Sequence, residues 1–328
     1  MRARPVRAAA APLAALTLTL GLLGPAAAAT AVEIRPAQLE RGEDIAVPHV
    51  EGSTIVDGDL RIDVGTPYVG LLGTSGEDYV VLASGSEQWR GARALRVRPD
   101  GTTTVLVRRA PLGRVHLSED GATLALARRA GDGGSRLQVF DTTSGERRAE
   151  RRVRGYADVL DTDGGQVLVS SWRPRKTYLW RTGPDRLRRV LGKAAYAGDL
   201  GLDRVAWFGR DPYSGGCSIV AQVTDPEQRV WRSCRDAVES WSPDGTRMLT
   251  MHKLTDGVGP SEVSLREADG ARLARFTVDG WFSSLAWEDG ETVLLGANAH
   301  RRFATVRCDG ETCERASDLE PAHPARVG

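Results

Sequence analysis

Beyond residue 31 the chain has no apolar stretch approaching the roughly 20 residues that a membrane-spanning helix needs. It also lacks sustained helical periodicity, which argues against helix bundles and doubly wound α/β folds. Histidine is scarce: His49, His116, His252, His300 and His323 form neither H-E-x-x-H nor H-x-H. No G-x-S-x-G elbow, P-loop or dinucleotide fingerprint is present, so the motif-borne routes to hydrolysis, nucleotide binding and redox chemistry are missing. No catalytic residue, metal site or cofactor is predicted. Charge of one sign is lacking too. With 44 basic and 43 acidic residues the chain is near neutral, a poor match for nonspecific nucleic-acid binding. Lysine occurs only at 176, 193 and 253, so the positive charge is carried by arginine, as in a GC-rich bacterial genome.

The one long apolar run is at the start. "MRARPVRAAAAPLAALTLTLGLLGPAAAATA" opens with Arg2, Arg4 and Arg7, continues through apolar residues to Leu23, and ends in small residues. This is the layout of a Sec signal peptide, with cleavage expected after Ala29 or Ala31. A membrane anchor is the alternative, and the run is short for it. No cysteine near the cut suggests a lipoprotein, and the arginines are not adjacent as the twin-arginine route requires. Losing three arginines takes the formal charge from +1 to −2. The expectation is a protein of the extracellular space or cell envelope, a monomer with no membrane span after cleavage.

A repeat organises what remains. A turn glycine precedes a short apolar strand at Gly76, Gly121, Gly164, Gly245 and Gly290, and a degenerate copy, "GLDRVAWFG", fills the one double-length gap. The period is about 43 residues. Each module carries a second hairpin, as in "VRPDGTTTV", "WRTGPDRLR" and "RCDGETCER", giving four short strands a to d. Repeated four-stranded units predict an all-β fold, a β-propeller with antiparallel blades. The repeats run over about 67–110, 111–154, 155–193, 194–236, 237–280 and 281–318 within a single domain, 32–328. Strand-like runs in 32–66 favour seven blades over six, with a short strand from the C-terminal tail closing the seventh. The alternative has these N-terminal strands capping a six-bladed ring.

"SWSPDGTRMLTM" is similar to the repeat of TolB-type and related WD-repeat-like propellers, in which Ser-Pro-Asp-Gly precedes strand b. Ser242, Pro243, Asp244 and Gly245 match fully; Ser118, Asp120 and Gly121 match with Glu119 in place of proline. Asp289 and Gly290 match in a turn one residue shorter. The resemblance implies a propeller and nothing of TolB's own role. The Trp-Asp ending of intracellular WD repeats, the sialidase Asp-box and TolB's N-terminal α/β domain have no counterpart.

The four cysteines of an exported chain predict disulfides. Cys217 and Cys234 are symmetric about one c–d turn, and Cys308 and Cys313 about another. Cross-strand neighbours lie within disulfide reach, which pairs Cys217 with Cys234 and Cys308 with Cys313.

Propeller topology puts the a–b and c–d turns on one face and the b–c and d–a loops on the other. The b–c loops read as the longer, more variable set. They collect Trp89, Arg90, Arg129, Trp172, Arg173, Arg175, Arg210, Tyr213, His252, Lys253, His300, Arg301 and Arg302. Arginine and aromatic residues are common binding anchors. The expected function is non-catalytic binding of a protein, an anionic glycan or another envelope polymer through this face. A propeller hydrolase or lyase with a channel active site is the alternative, because carboxylates drawn from several blades leave no linear motif. His116 reads as a packed inner-strand residue, and Trp180, Trp207, Trp231 and Trp241 as inter-blade core.

Overall fold

The computed structural model describes residues 31–255 and 257–322; the leader and His323 lie outside them. Seven antiparallel sheets follow in chain order. Blade 1 has three strands, His49–Glu51, Thr54–Asp57 and Leu60–Asp63. Blades 2 to 7 have four, beginning with Tyr68–Ser75, Val115–Leu117, Ala157–Asp163, Ala195–Asp199, Asp236–Trp241 and Gly280–Trp287. From blade 1 to blade 6, each strand a touches that of the next blade, forming the inner ring. The fold is a seven-bladed β-propeller, and no helix among the described residues is long and apolar enough to cross a membrane.

The turn motif has a physical role in its two best copies. The Ser242 hydroxyl donates to Asp244 Oδ1 (2.6 Å) and accepts from the Arg247 amide, while Asp244 accepts from the Thr246 amide. Ser118 and Asp120 repeat the network with the amides of Thr123 and Ala122. These hydrogen bonds hold the carboxyls of Asp244 and Asp120 below the usual carboxylate range. Gly121 is demanded twice over: its φ is +67°, and a Cβ would sit 2.0 Å from the Thr74 carbonyl oxygen of blade 2. The motif thus also fixes the approach of one blade to the next.

Burial follows strand position. Strand b of blade 2, Asp78–Ser84, is buried along its whole length, because both its faces meet neighbouring blades. Strand d of blade 3, Arg147–Arg154, alternates exposed and half-buried residues at the rim. Apolar clusters fill the spaces between blades, such as Val80, Leu82, Leu124 and Leu126. Trp180, Trp207 and Trp231 are buried in these layers; Trp241 is half-buried, packed against the layer between blades 5 and 6 while also lining the channel pocket.

Closure of the ring departs from the sequence expectation. The tail strand Glu320–Pro321 pairs with Arg302 and Phe303 of blade 7, not with blade 1. The N-terminal strand Ala31–Ile34 instead adds in parallel to the outer strand of blade 6, Arg272–Val278. The segment between them crosses blade 7, where Arg41 bridges to Arg315 and Arg307 donates to the carbonyls of Glu43 and Asp44. Arg307 also pairs with Glu288 and Glu314. The N-terminal residues therefore form blade 1 and also clasp blades 6 and 7 from outside.

Both expected disulfides are present, Cys217–Cys234 and Cys308–Cys313. Cys308 and Cys313 face each other in the ladder, and Cys217–Cys234 continues the Ser218–Ser233 register by one step.

Candidate functional site

Four large apolar or aromatic side chains are exposed among the described residues: Leu112 (54%), Tyr156 (39%), Trp172 (47%) and Tyr213 (71%). All four lie in b–c or d–a connections or at the strand ends feeding them, hence on one face of the ring. Burial of such side chains stabilises a fold, and the four that escape it all lie on this one face.

The surface has a centre on blades 3 and 4. The Trp172 amide donates to the Tyr156 carbonyl, which places the two aromatic residues side by side. The Arg129 guanidinium lies 4.9 Å from the Tyr156 ring centroid, a cation–π contact. Trp172 Nε1 donates to Asp158 Oδ2 (3.2 Å), and Arg114 Nε stands 2.8 Å from Asp158 Oδ1. Arg173 and Arg175 flank Trp172 and are exposed. Arg90, Arg129, Arg173, Arg175 and Arg210 make no ion pair among the described residues, whereas rim arginines such as Arg151 and Arg152 do. The face thus offers aromatic surface beside guanidinium groups that no carboxylate neutralises.

Other sequence-predicted residues are committed elsewhere. Trp89 is half-buried, with φ +56°; it packs against the core between blades 2 and 3 and lines a cleft of about 830 Å³ where blades 7, 1 and 2 meet, with Tyr68, Trp281 and Phe303. Lys253 donates to the Gly216 carbonyl (2.6 Å), tethering the loops of blades 5 and 6. His252 Nδ1 accepts from the Leu254 amide, and Arg210 reaches the Gly215 carbonyl. The b–c connections of blades 4 and 7 are shorter than the sequence reading held. Trp172 pairs with Arg175 and Ala299 with Arg302, leaving two-residue turns. His300 and Arg301 have φ of +49° and +64°, the signs of a type I′ turn, and His300 lies 3.4 Å from Asp279. The residues that sequence reasoning missed are Tyr156 and Leu112. Both sit in d–a connections, and an aromatic beside the turn glycine Gly155 was the available signal.

The channel adds a second feature. Strands a of blades 2, 4, 5, 6 and 7 each carry a register shift at an equivalent point, at Leu72, Leu160, Tyr196, Glu239 and Ser283. Such bulges re-aim side chains. Glu239 is the charged member, and burial raises its carboxyl above the usual range although channel solvent reaches it. His116 is held toward neutrality by burial, partly offset by the Asp158 carboxylate. At the a–b end, Glu119, Asp161, Asp163 and Asp199 surround a small pocket. Asp161 accepts from the Leu200 amide and Asp199 from the Leu202 amide, so two of these acids already serve turns. Burial, with Asp199 and Asp163 nearby, pushes the Asp161 carboxyl up to about 6. Among the described residues no group of three or more His, Cys, Asp or Glu is arranged to hold a metal ion.

The sequence matches no protein-family model and no curated protein. Solved structures do match. The β-propeller domain of the Trilobed protease from Pyrococcus furiosus, described as having an open velcro topology, aligns over 86% of this chain and 96% of its own at 13% identity, TM-score 0.57. The Pyrococcus horikoshii acylaminoacyl peptidase aligns over 81% of this chain, which spans only 48% of that protein, at 13% identity and TM-score 0.56. The WD40 domain of Toxoplasma gondii coronin aligns over 87% and 78% at 12% identity, TM-score 0.50. At these identities the likeness is one of fold, and it identifies the chain as a β-propeller.

Proposed function

We propose that this chain is an exported, non-catalytic propeller that binds an anionic partner through the face carrying its b–c and d–a connections. The observation that supports this most is the gathering of all four exposed large apolar side chains on that face, beside arginines without ion-pair partners. Aromatic anchors flanked by guanidinium groups suit a partner presenting carboxylate, sulfate or phosphate groups on an extended surface. Two disulfides fit an oxidising compartment, as the leader-like N-terminus does. A monomer suffices, since the face needs no second copy to complete it.

The test is a binding comparison with heparin and polyglutamate as polyanions and dextran as the neutral control. Wild type should bind the polyanions with a steep salt dependence, and Trp172→Ala and Arg175→Ala should each weaken that binding. Equal affinity of wild type and both variants would remove the face from the account. Turnover of a peptide or glycan substrate, abolished by changes at the channel acids, would favour the hydrolase or lyase reading instead.

A further inference from the structure

The channel wall across blades 3 to 6 encloses a pocket of about 520 Å³, open beside Trp172 and running down the inner strands. Its composition is opposite in sign to the face around it. No lysine or arginine lines it, and Arg114, the cation that reaches Asp158, is spent on that carboxylate. Glu239 has neither a hydrogen-bond nor an ion-pair partner among the described residues, and it is delivered to the wall by the bulge in strand a of blade 6. Asp199 adds a second carboxylate at the far end.

A second observation is independent of the acids. Ser170 lines the same pocket and is only 1% exposed, and its buried hydroxyl has no hydrogen-bond partner. Ser170 stands opposite Asp158 in the ladder of strands a and b of blade 4, so both side chains belong to one sheet face. A buried hydroxyl left unpaired is destabilising, a cost that a ligand group supplying a partner removes. Three aromatic residues complete the wall: Trp172, Trp241 and Tyr196. The last is fixed by stacking on Phe208 (4.6 Å between centroids) and by its contact with Ser218.

We propose that this pocket binds a primary ammonium group carried on an apolar stem or sugar ring, with Glu239 as its counter-ion and the Ser170 hydroxyl accepting from the ligand. An ammonium donates three hydrogen bonds and carries the charge that Glu239 lacks opposite it, while the aromatic residues of the wall offer surface to the attached carbons. A neutral alcohol would leave the carboxylate uncompensated, and an anion would meet Glu239, Asp158 and Asp199. The site is distinct from the polyanion face, sharing only Trp172 at its mouth.

Two probes distinguish the sources of such a group: Nα-acetyl-lysine amide for a peptide side chain and glucosamine for an amino sugar. Their neutral counterparts are Nε-acetylated Nα-acetyl-lysine amide and N-acetylglucosamine. Calorimetric titration of the full chain should show at least one amine binding roughly tenfold or more tighter than its acetylated form. Glu239→Gln should abolish that preference, and Ser170→Ala should weaken the amine several-fold. Acidification should weaken binding as Glu239 protonates, with Asp158, Asp199 and His116 the other titrating groups on the wall. Heparin binding should be unchanged in Glu239→Gln, which separates failure here from failure of the face. Circular dichroism would confirm that both variants fold. Equal binding of amine and acetylated forms, no binding of either amine, or an unaltered preference in Glu239→Gln would overturn the proposal.

Discussion

The two faces of the ring put their polar side chains to opposite uses. On the a–b side, side chains are consumed locally. Asp120, Asp244 and Asp289 accept amides from their own turns, and Ser118 and Ser242 close the same loops. On the b–c side, Arg129, Arg173 and Arg175 have no ion-pair partner, and Trp172 and Tyr213 stand in solvent. The difference teaches that the recognisable turn motif marks the face that builds the ring. The face available to a partner is the one without a motif. Hydrogen bonds spent inside a turn are unavailable to a ligand, and stability and recognition are divided between the two ends of the channel.

Substitutions on opposite faces should therefore break different properties. The largest effect is expected from Gly121→Val, which forces a β-branched residue into a left-handed conformation and into the backbone of blade 2. It should destabilise by about 2–4 kcal/mol, read as a lowered midpoint in urea. Trp172→Ala should do the reverse. Its unfolding midpoint should stay within about 1 kcal/mol of wild type, while polyanion affinity falls tenfold or more.

A pH-dependent effect of intermediate size is expected at Asp161. Its carboxyl is raised to about 6, so the folded state holds the proton more firmly than the unfolded chain does. The contribution is favourable at low pH and is lost as pH rises from about 4 toward 6. Asp161→Asn keeps an acceptor for the Leu200 amide and removes the charge. It should gain about 1 kcal/mol above pH 6 and flatten the stability profile across that window, measured by denaturation at a series of pH values. The smallest effect is Arg175→Ala: a few-fold loss of polyanion affinity, a shallower salt dependence, and no measurable change in stability.

The division also explains what could be read before the fold was seen. The blades were legible because Ser-x-Asp-Gly acts within five residues, and local chemistry repeats in sequence whenever it repeats in space. The cysteine pairing was legible for a related reason: Cys308 and Cys313 are symmetric about a turn that is itself local. Closure was not legible. "AVEI" pairs in parallel with Arg275–Val278, more than two hundred residues away, and nothing in its composition names that partner. Glu239 in "DAVESW" looks like an alternating solvent-facing residue until the bulge places it on the channel wall. Trp89 and Lys253 matched the expected loop pattern, but one packs partly against the core between blades 2 and 3 and the other ties two loops together. Tyr156 escaped because a d–a connection of two residues offers little pattern to read. Residue type alone distinguishes neither an anchor from a tether nor a tether from a wedge.

The division between faces can be measured in one footprint. Oxidative labelling of the full chain with and without saturating heparin reports the exposure of each aromatic side chain. The account predicts protection of Trp172, Tyr156 and Tyr213, with Trp287, half-buried at the a–b end of strand a of blade 7, unchanged. Bound heparin that leaves those three unprotected, or that instead protects side chains on the a–b face, would contradict it.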